Sequence, residues 1–181
     1  MTSAGAPLAL ALLLTACGGG GSTDKTEAPP TPASSSASAT PEQAQKQAVV
    51  KAFTAMWTER TKAYARASLK GTKLTRYATL DALGQIRNDV ARMKAAGTVV
   101  RSGARQTDPK VTALDTSKST PKATLTTCVD LSHYQAYDTK AEKPLPLPSA
   151  QPRRYTATAS MERWPNGWMV TAYEPHGDRS C

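Results

Sequence analysis

The spacing of apolar residues changes from a helical period to an extended one at Gly97. Up to Gly97, apolar side chains recur every three to four residues, which is typical of amphipathic helices. After Gly97, apolar and polar residues alternate, which is typical of strands with one buried face. Because helices that precede a run of strands favour segregated layers, the sequence predicts an α+β fold. The helical period is carried by Val49, Phe53, Met56, Trp57, Tyr64, Tyr77, Leu80, Leu83, Ile86, Val90 and Met93.

Two helices are predicted before Gly97. Thr40 suits an N-cap, Pro41 suits the first helical position, and Gln43 completes a capping box. We therefore expect one long helix over residues 41–68 and a second helix over residues 74–96. Gly97 stands where a C-cap glycine belongs. Basic side chains of the first helix are predicted to lie on its wetter faces, and these are Lys46, Lys51, Arg60 and Lys62.

The remainder of the chain predicts a curved antiparallel sheet of about four to five strands. Asn166-Gly167 is a strong hairpin signal, and Asp108-Pro109 is expected to join two short strands. Residues 140–152 are rich in proline and are expected to form an exposed excursion. The sheet should wrap against the long helix as a cone-like roll. The predicted strands are residues 98–106, 110–115, 121–131, 153–164 and 168–174.

The first 16 residues have the composition of an export signal. The apolar run from Leu8 to Leu14 is too short to span a bilayer, which needs about 20 residues, but it fits the core of a signal peptide. Leu14-Thr15-Ala16-Cys17 resembles a bacterial lipobox. That resemblance implies cleavage before Cys17, a lipid anchor on Cys17, and a location at the extracytoplasmic face of the cell membrane. The absence of Lys and Arg before Leu8 departs from the usual pattern.

A linker is predicted between the anchor and the folded domain. Residues 17–40 are dominated by Gly, Ser, Thr, Ala and Pro, which offer almost no side chains to bury. Such a composition predicts a flexible tether. The chain is therefore divided into a signal peptide (1–16), a lipidated cysteine with a disordered linker (17–40) and one α+β domain (41–181).

Two cysteines remain once Cys17 is assigned to the anchor. An exported domain meets an oxidising environment, so Cys128 and Cys181 are expected to form a disulfide. Closing a loop of this length would stabilise the fold by about 4 kcal/mol in a chain-entropy estimate. The alternative is a reactive cysteine, which is less favoured because neither residue belongs to a CxxC motif.

The predicted layout resembles a known family. A long helix, a helical segment and a curved sheet are similar to the nuclear-transport-factor-2-like, or cystatin-like, cone. Four short motifs resemble those of small actinobacterial secreted lipoproteins of unknown function. They are Thr127-Cys128-Val129-Asp130, Arg153-Arg154 at the start of a predicted strand, Asn166-Gly167-Trp168-Met169-Val170 and Ser180-Cys181. The resemblance implies a cone-like fold and a disulfide between the two cysteines. It implies no activity.

No catalytic, metal-binding or cofactor-binding motif is recognisable in the sequence. In cone folds the open mouth of the sheet can hold a small ligand, and enzymes of that fold place an acid and a tyrosine there. Asp130 with Tyr155 or Tyr173 could imitate that pair. Asp130 could instead cap a strand end or pair there with Arg153 or Arg154. The candidate pocket residues are Asp130, His133, Tyr134, Tyr155 and Tyr173.

The chain is basic, with 23 Lys and Arg against 14 Asp and Glu and a formal net charge of +9. A positive surface favours polyanion partners through long-range attraction, although it can serve solubility alone. For an exported chain the expected polyanions are envelope polymers or lipid head groups, and not nucleic acid. One positive face is predicted from Arg101, Arg105, Lys110, Lys118 and Lys122.

Three functional hypotheses follow from the sequence. The first is a non-enzymatic, membrane-anchored domain that binds a small ligand, an anionic envelope polymer or another envelope protein. The second is an enzyme of the cone fold that uses Asp130 and a pocket tyrosine. The third is a structural partner that stabilises another envelope protein through a flat apolar patch.

Overall fold

The long first helix begins where the capping signals predict. The computed structural model of the protein describes residues 40–181, so the predicted signal peptide, the lipidation site at Cys17 and residues 18–39 of the linker lie outside the described residues. Helix α1 (Pro41–Tyr64) starts with the predicted capping box. The Gln43 N–H donates to Thr40 Oγ1 (3.2 Å), and the Thr40 N–H donates to Gln43 Oε1 (2.9 Å). The helix ends four residues earlier than expected.

The predicted second helix is divided into two. Helix α2 (Leu74–Tyr77) is a single turn, and helix α3 (Leu80–Ala96) ends at Gly97 in the left-handed conformation, as predicted. Ala78 is extended and forms a parallel β-bridge with Val170, which interrupts the helix. Leu80 was expected on the apolar stripe, but it has a positive φ of 47° and is 59% exposed.

Seven strands follow the helices and form two antiparallel sheets. The larger sheet has four strands in the order β2-β3-β6-β7, and the smaller has three in the order β1-β4-β5. The α+β prediction is therefore confirmed, and the one sheet that was expected is resolved into two. The strands are β1 (Thr98–Ser102), β2 (Arg105–Asp115), β3 (Lys122–Asp130), β4 (Gln135–Asp138), β5 (Lys143–Leu145), β6 (Arg154–Trp164) and β7 (Gly167–His176).

Strand β2 runs through the predicted turn at Asp108-Pro109. Its pairing with β3 shifts between Thr107 and Lys110, and Asp108 has a positive φ of 52°. The one extra residue is thus absorbed by a β-bulge in an edge strand, where a proline is tolerated because no neighbour needs its N–H. Strand β2 therefore joins the end of the predicted strand 98–106 to the predicted strand 110–115. Residues 98–102 form a separate strand, β1, which belongs to the smaller sheet.

The core lies between the four-stranded sheet and the helices α1 and α3. Apolar side chains from α1 are almost fully buried against alternate residues of β3 and β6 and against the first half of β7. Strands β3 and β6 are central in the sheet, which explains why their inward-facing side chains are shielded most completely. The largest fully buried side chains are Phe53, Met56, Leu125, Met161, Val49, Val129 and Val170.

The C-terminal tail is held against the central strands. Cys181 lies at disulfide distance from Cys128 of β3, with 5.8 Å between their Cα atoms. The Thr156 N–H of β6 also donates to the Arg179 carbonyl at 2.8 Å. The pair expected from the sequence is therefore brought together, and it joins the last residue to the middle of the larger sheet.

Candidate functional site

A cleft of about 320 Å³ opens between α1, α3 and the ends of β6 and β7. Its apolar lining comes from Met56, Ala82, Ile86 and Pro175. Charged and polar groups from both helices and both strands converge on the same space. The polar lining residues are Arg60, Tyr64, Gln85, Asp89, Arg92, Tyr155 and Tyr173.

Arg60 is the central group of this cleft. It is half-buried, and its guanidinium carbon lies 4.5 Å from the ring centre of Trp57, 4.9 Å from that of Tyr64 and 5.4 Å from that of Tyr173. Rings within about 6 Å of a cation attract it electrostatically. Three aromatic side chains thus enclose one positive charge.

Helical spacing explains part of this enclosure. Trp57, Arg60 and Tyr64 are three and four residues apart on α1, so they share one face of the helix. Tyr173 reaches the same face from β7 and packs edge-on against Trp57, with 5.9 Å between ring centres. The cluster therefore needs both the helix and the sheet.

The cleft holds its tyrosines in the neutral form. Desolvation raises the pKa of Tyr64 and of Tyr173 to about 12, although the Arg60 charge works in the opposite direction. Burial also raises the pKa of Tyr155. Burial alone would lower the pKa of Arg60, but the negative charges that Tyr64 and Tyr173 acquire only at high pH raise it above its ordinary value. At neutral pH the cleft thus presents phenol hydroxyls beside a permanent cation.

Asp89 contributes the negative charge of the cleft. Its carboxylate accepts a hydrogen bond from the Tyr64 hydroxyl and forms an ion pair with Arg92 one helical turn away. Tyr173 is in a different situation. Its hydroxyl is buried and has no hydrogen-bond partner among residues 40–181.

The structure brings some of the predicted pocket residues to this cleft. Tyr155 and Tyr173 line it. Tyr134 is half-buried against the core, and burial raises its pKa while the Arg60 charge opposes that rise. Asp130 and His133 are not among the lining residues, and His133 is exposed.

Asp130 has a local structural role at the end of β3. Its carboxylate accepts the Ser132 N–H at 2.7 Å, and hydrogen bonds from Ser132 lower its pKa, with a smaller contribution from Arg154. Asp130 also pairs in register with Arg154 of β6. This arrangement corresponds to the strand-end alternative for Asp130.

Sequence reasoning missed the helical half of the cleft. Arg60 was expected on a wetter face of α1, but it lies under the aromatic rings. Tyr64 was expected only as part of the apolar stripe, and Asp89 was not singled out. The spacing of Trp57, Arg60 and Tyr64 was the available signal, because a cation between two aromatic residues on one helical face suits a cation–π cluster.

The predicted basic face is divided between the two sheets. All five residues are exposed, but Arg101 belongs to β1 of the smaller sheet, where it stacks on Tyr137 of β4. Lys122 is paired with Glu162 across β3 and β6 at 3.0 Å. The remaining members, Arg105, Lys110 and Lys118, lie on β2 or in the loop that follows it.

The part of the chain that the structure describes contains no cluster of three or more His, Cys, Asp or Glu suited to a metal ion. Over the same residues, no helix has the length and apolar character needed to cross a membrane.

Comparison with known proteins shows likeness of fold alone. No family model matches this sequence, and no curated protein matches it significantly. Among solved structures, the chain is similar to the intermembrane space region of the chloroplast protein ARC6, with a TM-score of 0.50 and 12% identity over 75% of this chain and 97% of the other. The Kfla4162 protein from Kribbella flavida has a TM-score of 0.35 and 15% identity over 71% of this chain and 90% of its own.

Proposed function

We propose that this protein is a lipid-anchored, extracytoplasmic domain that binds a small ligand in the cleft between α1, α3 and β7. The anchoring half of the proposal is supported by the order of sequence features. A short apolar run, the Leu14-Thr15-Ala16-Cys17 lipobox and a Gly- and Ser-rich tether precede a folded domain that begins at Thr40.

The enclosure of Arg60 is the observation that carries the binding half. Removing a cation from water costs free energy, and ring faces compensate only part of that cost. A site that gathers a cation, three neutral phenols and an apolar floor in about 320 Å³ has the size and lining of a small-molecule pocket. A surface that served solubility alone would not need to shelter a charge.

The domain is proposed to bind its ligand without transforming it. The enzyme hypothesis required a carboxylic acid in the pocket with a raised pKa. Asp130 is outside the cleft lining, and its pKa is lowered by its hydrogen bonds to Ser132. These observations favour a binding domain over an enzyme built on Asp130.

One observation favours an enzyme as the second candidate. Asp89 lies in the cleft and accepts a hydrogen bond from Tyr64, so an acid and a tyrosine do meet there. Incubation of the protein with its ligand followed by mass spectrometry separates the two functions. We expect the ligand to be recovered unchanged. If the wild type converts the ligand and Asp89→Asn does not, the protein is an enzyme and not a binding domain.

The anchor is tested by the intact mass of the protein purified from its native membrane fraction. We expect a chain that starts at Cys17 and carries a diacyl or triacyl modification. The same sample should gain two hydrogen atoms on reduction, from Cys128 and Cys181. A cytoplasmic chain that retains Met1 and has free thiols would overturn the proposed location and make nucleic acid the leading partner of the basic surface.

The cleft is tested by obstructing it. Gln85 is exposed on α3 and lines the cleft, so Gln85→Trp should fill the opening without disturbing the core. Asn88→Trp, on the same helix and away from the cleft lining, is the matched control. Small molecules retained from envelope extracts should be detected by native mass spectrometry on the wild type and the control and be lost from Gln85→Trp. Equal retention by all three proteins would contradict the cleft.

The same variants distinguish a small ligand from the two larger candidate partners, an anionic envelope polymer and another envelope protein. An anionic envelope polymer bound at the exposed Arg105, Lys110 and Lys118 would be insensitive to Gln85→Trp and would be released by salt. A protein partner would be recovered as a complex of defined stoichiometry.

A further inference from the structure

We propose that the cleft selects a small carboxylic acid with an aromatic or apolar body, whose carboxylate binds Arg60. This inference rests on the proposed binding function, and it names the chemical class of the ligand.

The first step is the unused hydrogen-bonding capacity of Arg60. Four ion pairs form among residues 40–181, and none of them involves Arg60. The surrounding rings attract the face of the guanidinium, but its N–H groups point in its plane, where they suit the two oxygens of a carboxylate. The hydroxyls of Tyr64 and Tyr173 also approach the guanidinium and influence its pKa. They are neutral and weaker acceptors than a carboxylate, so the fork of donors remains available for an anion.

The second step is the charge of the cleft. Asp89 is already engaged by Tyr64 and by Arg92, so it is not the counter-ion of Arg60. Arg60 and Arg92 against Asp89 give a net charge of +1 (2 − 1), since the lining tyrosines are neutral. A single positive charge matches a monoanion such as a carboxylate better than a doubly charged phosphate monoester.

The third step is the hydroxyl of Tyr173. It belongs to the wall that packs over Arg60, and it is buried without a partner among the described residues. A ligand oxygen beside it would supply the missing acceptor. One carboxylate could thus accept hydrogen bonds from both the Arg60 guanidinium and the Tyr173 hydroxyl.

The body of the ligand is set by the rest of the lining. Met56, Ala82, Ile86 and Pro175 provide an apolar surface opposite the charged groups. A volume of about 320 Å³ is at the lower end of small-molecule sites, so it suits one or two rings or a short alkyl chain. A polymer would have to leave most of its length outside.

The experiment compares acids with their neutral amides on the purified mature protein. The probes are 1-naphthoate and 1-naphthamide, indole-3-acetate and indole-3-acetamide, and 4-phenylbutyrate and 4-phenylbutyramide, measured by isothermal titration calorimetry. Each pair shares a body and differs in charge. We expect at least one acid to bind tenfold or more tightly than its amide, and Gln85→Trp to abolish that binding.

Substitutions at Arg60 then locate the selectivity. Arg60→Met should reduce the acid-to-amide ratio to about one, whereas Arg87→Gln, an exposed arginine of α3 outside the lining, should preserve it. Arg60→Lys keeps the charge and loses the fork, so we expect it to weaken acid binding at least fivefold. Should Arg60→Met fail to fold, Arg60→Lys decides the matter, since unchanged acid affinity in that variant overturns the proposal.

The possible failures are distinct. Amides that bind as tightly as acids would overturn the anion preference and leave the cleft as a neutral small-molecule site. Binding of every acid that persists in both Arg60→Met and Gln85→Trp would place the anion site elsewhere. The absence of binding by all six probes would overturn the carboxylate inference, and the comparison of wild type with Gln85→Trp by native mass spectrometry would then decide the small-ligand function separately.

Discussion

The two sheets of this domain differ in how much apolar surface they bury. In the four-stranded sheet, Leu125, Val129, Ala157, Ala159 and Val170 are fully shielded from solvent. In the three-stranded sheet, Val100 is the single buried residue of its strands. Because burial of apolar area is the main favourable contribution to folding, stability is concentrated in the larger sheet and in α1. The smaller sheet is held largely by its backbone hydrogen bonds.

The cleft belongs to the well-buried region. Tyr155 and Tyr173 come from β6 and β7, and Arg60 comes from α1, the helix that covers this sheet. A binding site on rigid elements keeps its geometry between encounters, which lowers the cost of ordering on binding. We expect the smaller sheet to open locally at lower free energy, because few of its residues are buried.

The largest effect is expected from a matched pair of leucine truncations. Leu125→Ala removes a fully buried side chain from central strand β3 and should lower the free energy of unfolding by about 3–5 kcal/mol. Leu145→Ala in edge strand β5 removes a half-buried one and should cost less than about 1 kcal/mol. Urea denaturation measures both, and equal losses would show that the smaller sheet is packed as tightly as the larger.

The tail disulfide should have the next largest effect. It closes a loop of 53 residues onto the larger sheet. The double variant Cys128→Ala/Cys181→Ala should therefore lose about 2–4 kcal/mol of stability. Single variants leave a free thiol, so the double variant is compared with the oxidised parent by urea denaturation. A parent whose thiols are alkylated in the native state would contradict the bridge.

The sequence anticipated the larger sheet better than the smaller one, for a physical reason. Strand β3 and the strands of the β6–β7 hairpin are long enough for the alternation of apolar and polar residues to be recognised. Asn166-Gly167 also marks the turn between β6 and β7. Strand β5 spans three residues inside the proline-rich segment, so no period can be recognised there. Pro144 is compatible with β5 because it stands on an edge.

The same contrast explains which half of the cleft was anticipated. Tyr155 and Tyr173 were named because the resemblance to cone folds places a tyrosine at the mouth of the sheet. Alternation also puts them on one face of the β6–β7 hairpin, where Tyr173 pairs with Ala159 and not with Tyr155. Arg60 and Asp89 lie on separate helices, and no local pattern states how those helices cross. The break at Ala78 was also hidden, because it depends on a bridge to Val170 from a distant strand.

The third effect is pH-dependent and concerns Glu59, a buried carboxylate on the side of α1 that faces α2. It accepts hydrogen bonds from Lys62 Nζ and the Lys73 N–H, both at 2.7 Å, and these lower its pKa. A carboxylate whose pKa is lowered in the folded state stabilises the fold at pH values above its unfolded-state pKa of 4.5. That stabilisation is lost as the pH falls through the folded-state pKa. Glu59→Gln should cost about 1–2 kcal/mol at pH 7 and progressively less under acidic conditions. A loss of stability that does not change with pH would show that the negative charge of Glu59 does not stabilise the fold.

The smallest effects compare one surface pair on each sheet. On the smaller sheet, the Arg101 guanidinium lies 3.2 Å from the Tyr137 ring centre, and on the larger sheet Lys122 pairs with Glu162 at 3.0 Å. Double-mutant cycles should give about 0.5–1 kcal/mol for the stacked pair and about 0.2–0.5 kcal/mol for the ion pair. The stability of the smaller sheet should depend more on such surface contacts, because few of its side chains are buried. Raising the salt concentration should reduce the second coupling more than the first, since screening acts on separated charges in water. A larger coupling for the ion pair would mean that cross-strand contacts are stronger on the sheet that has a buried core.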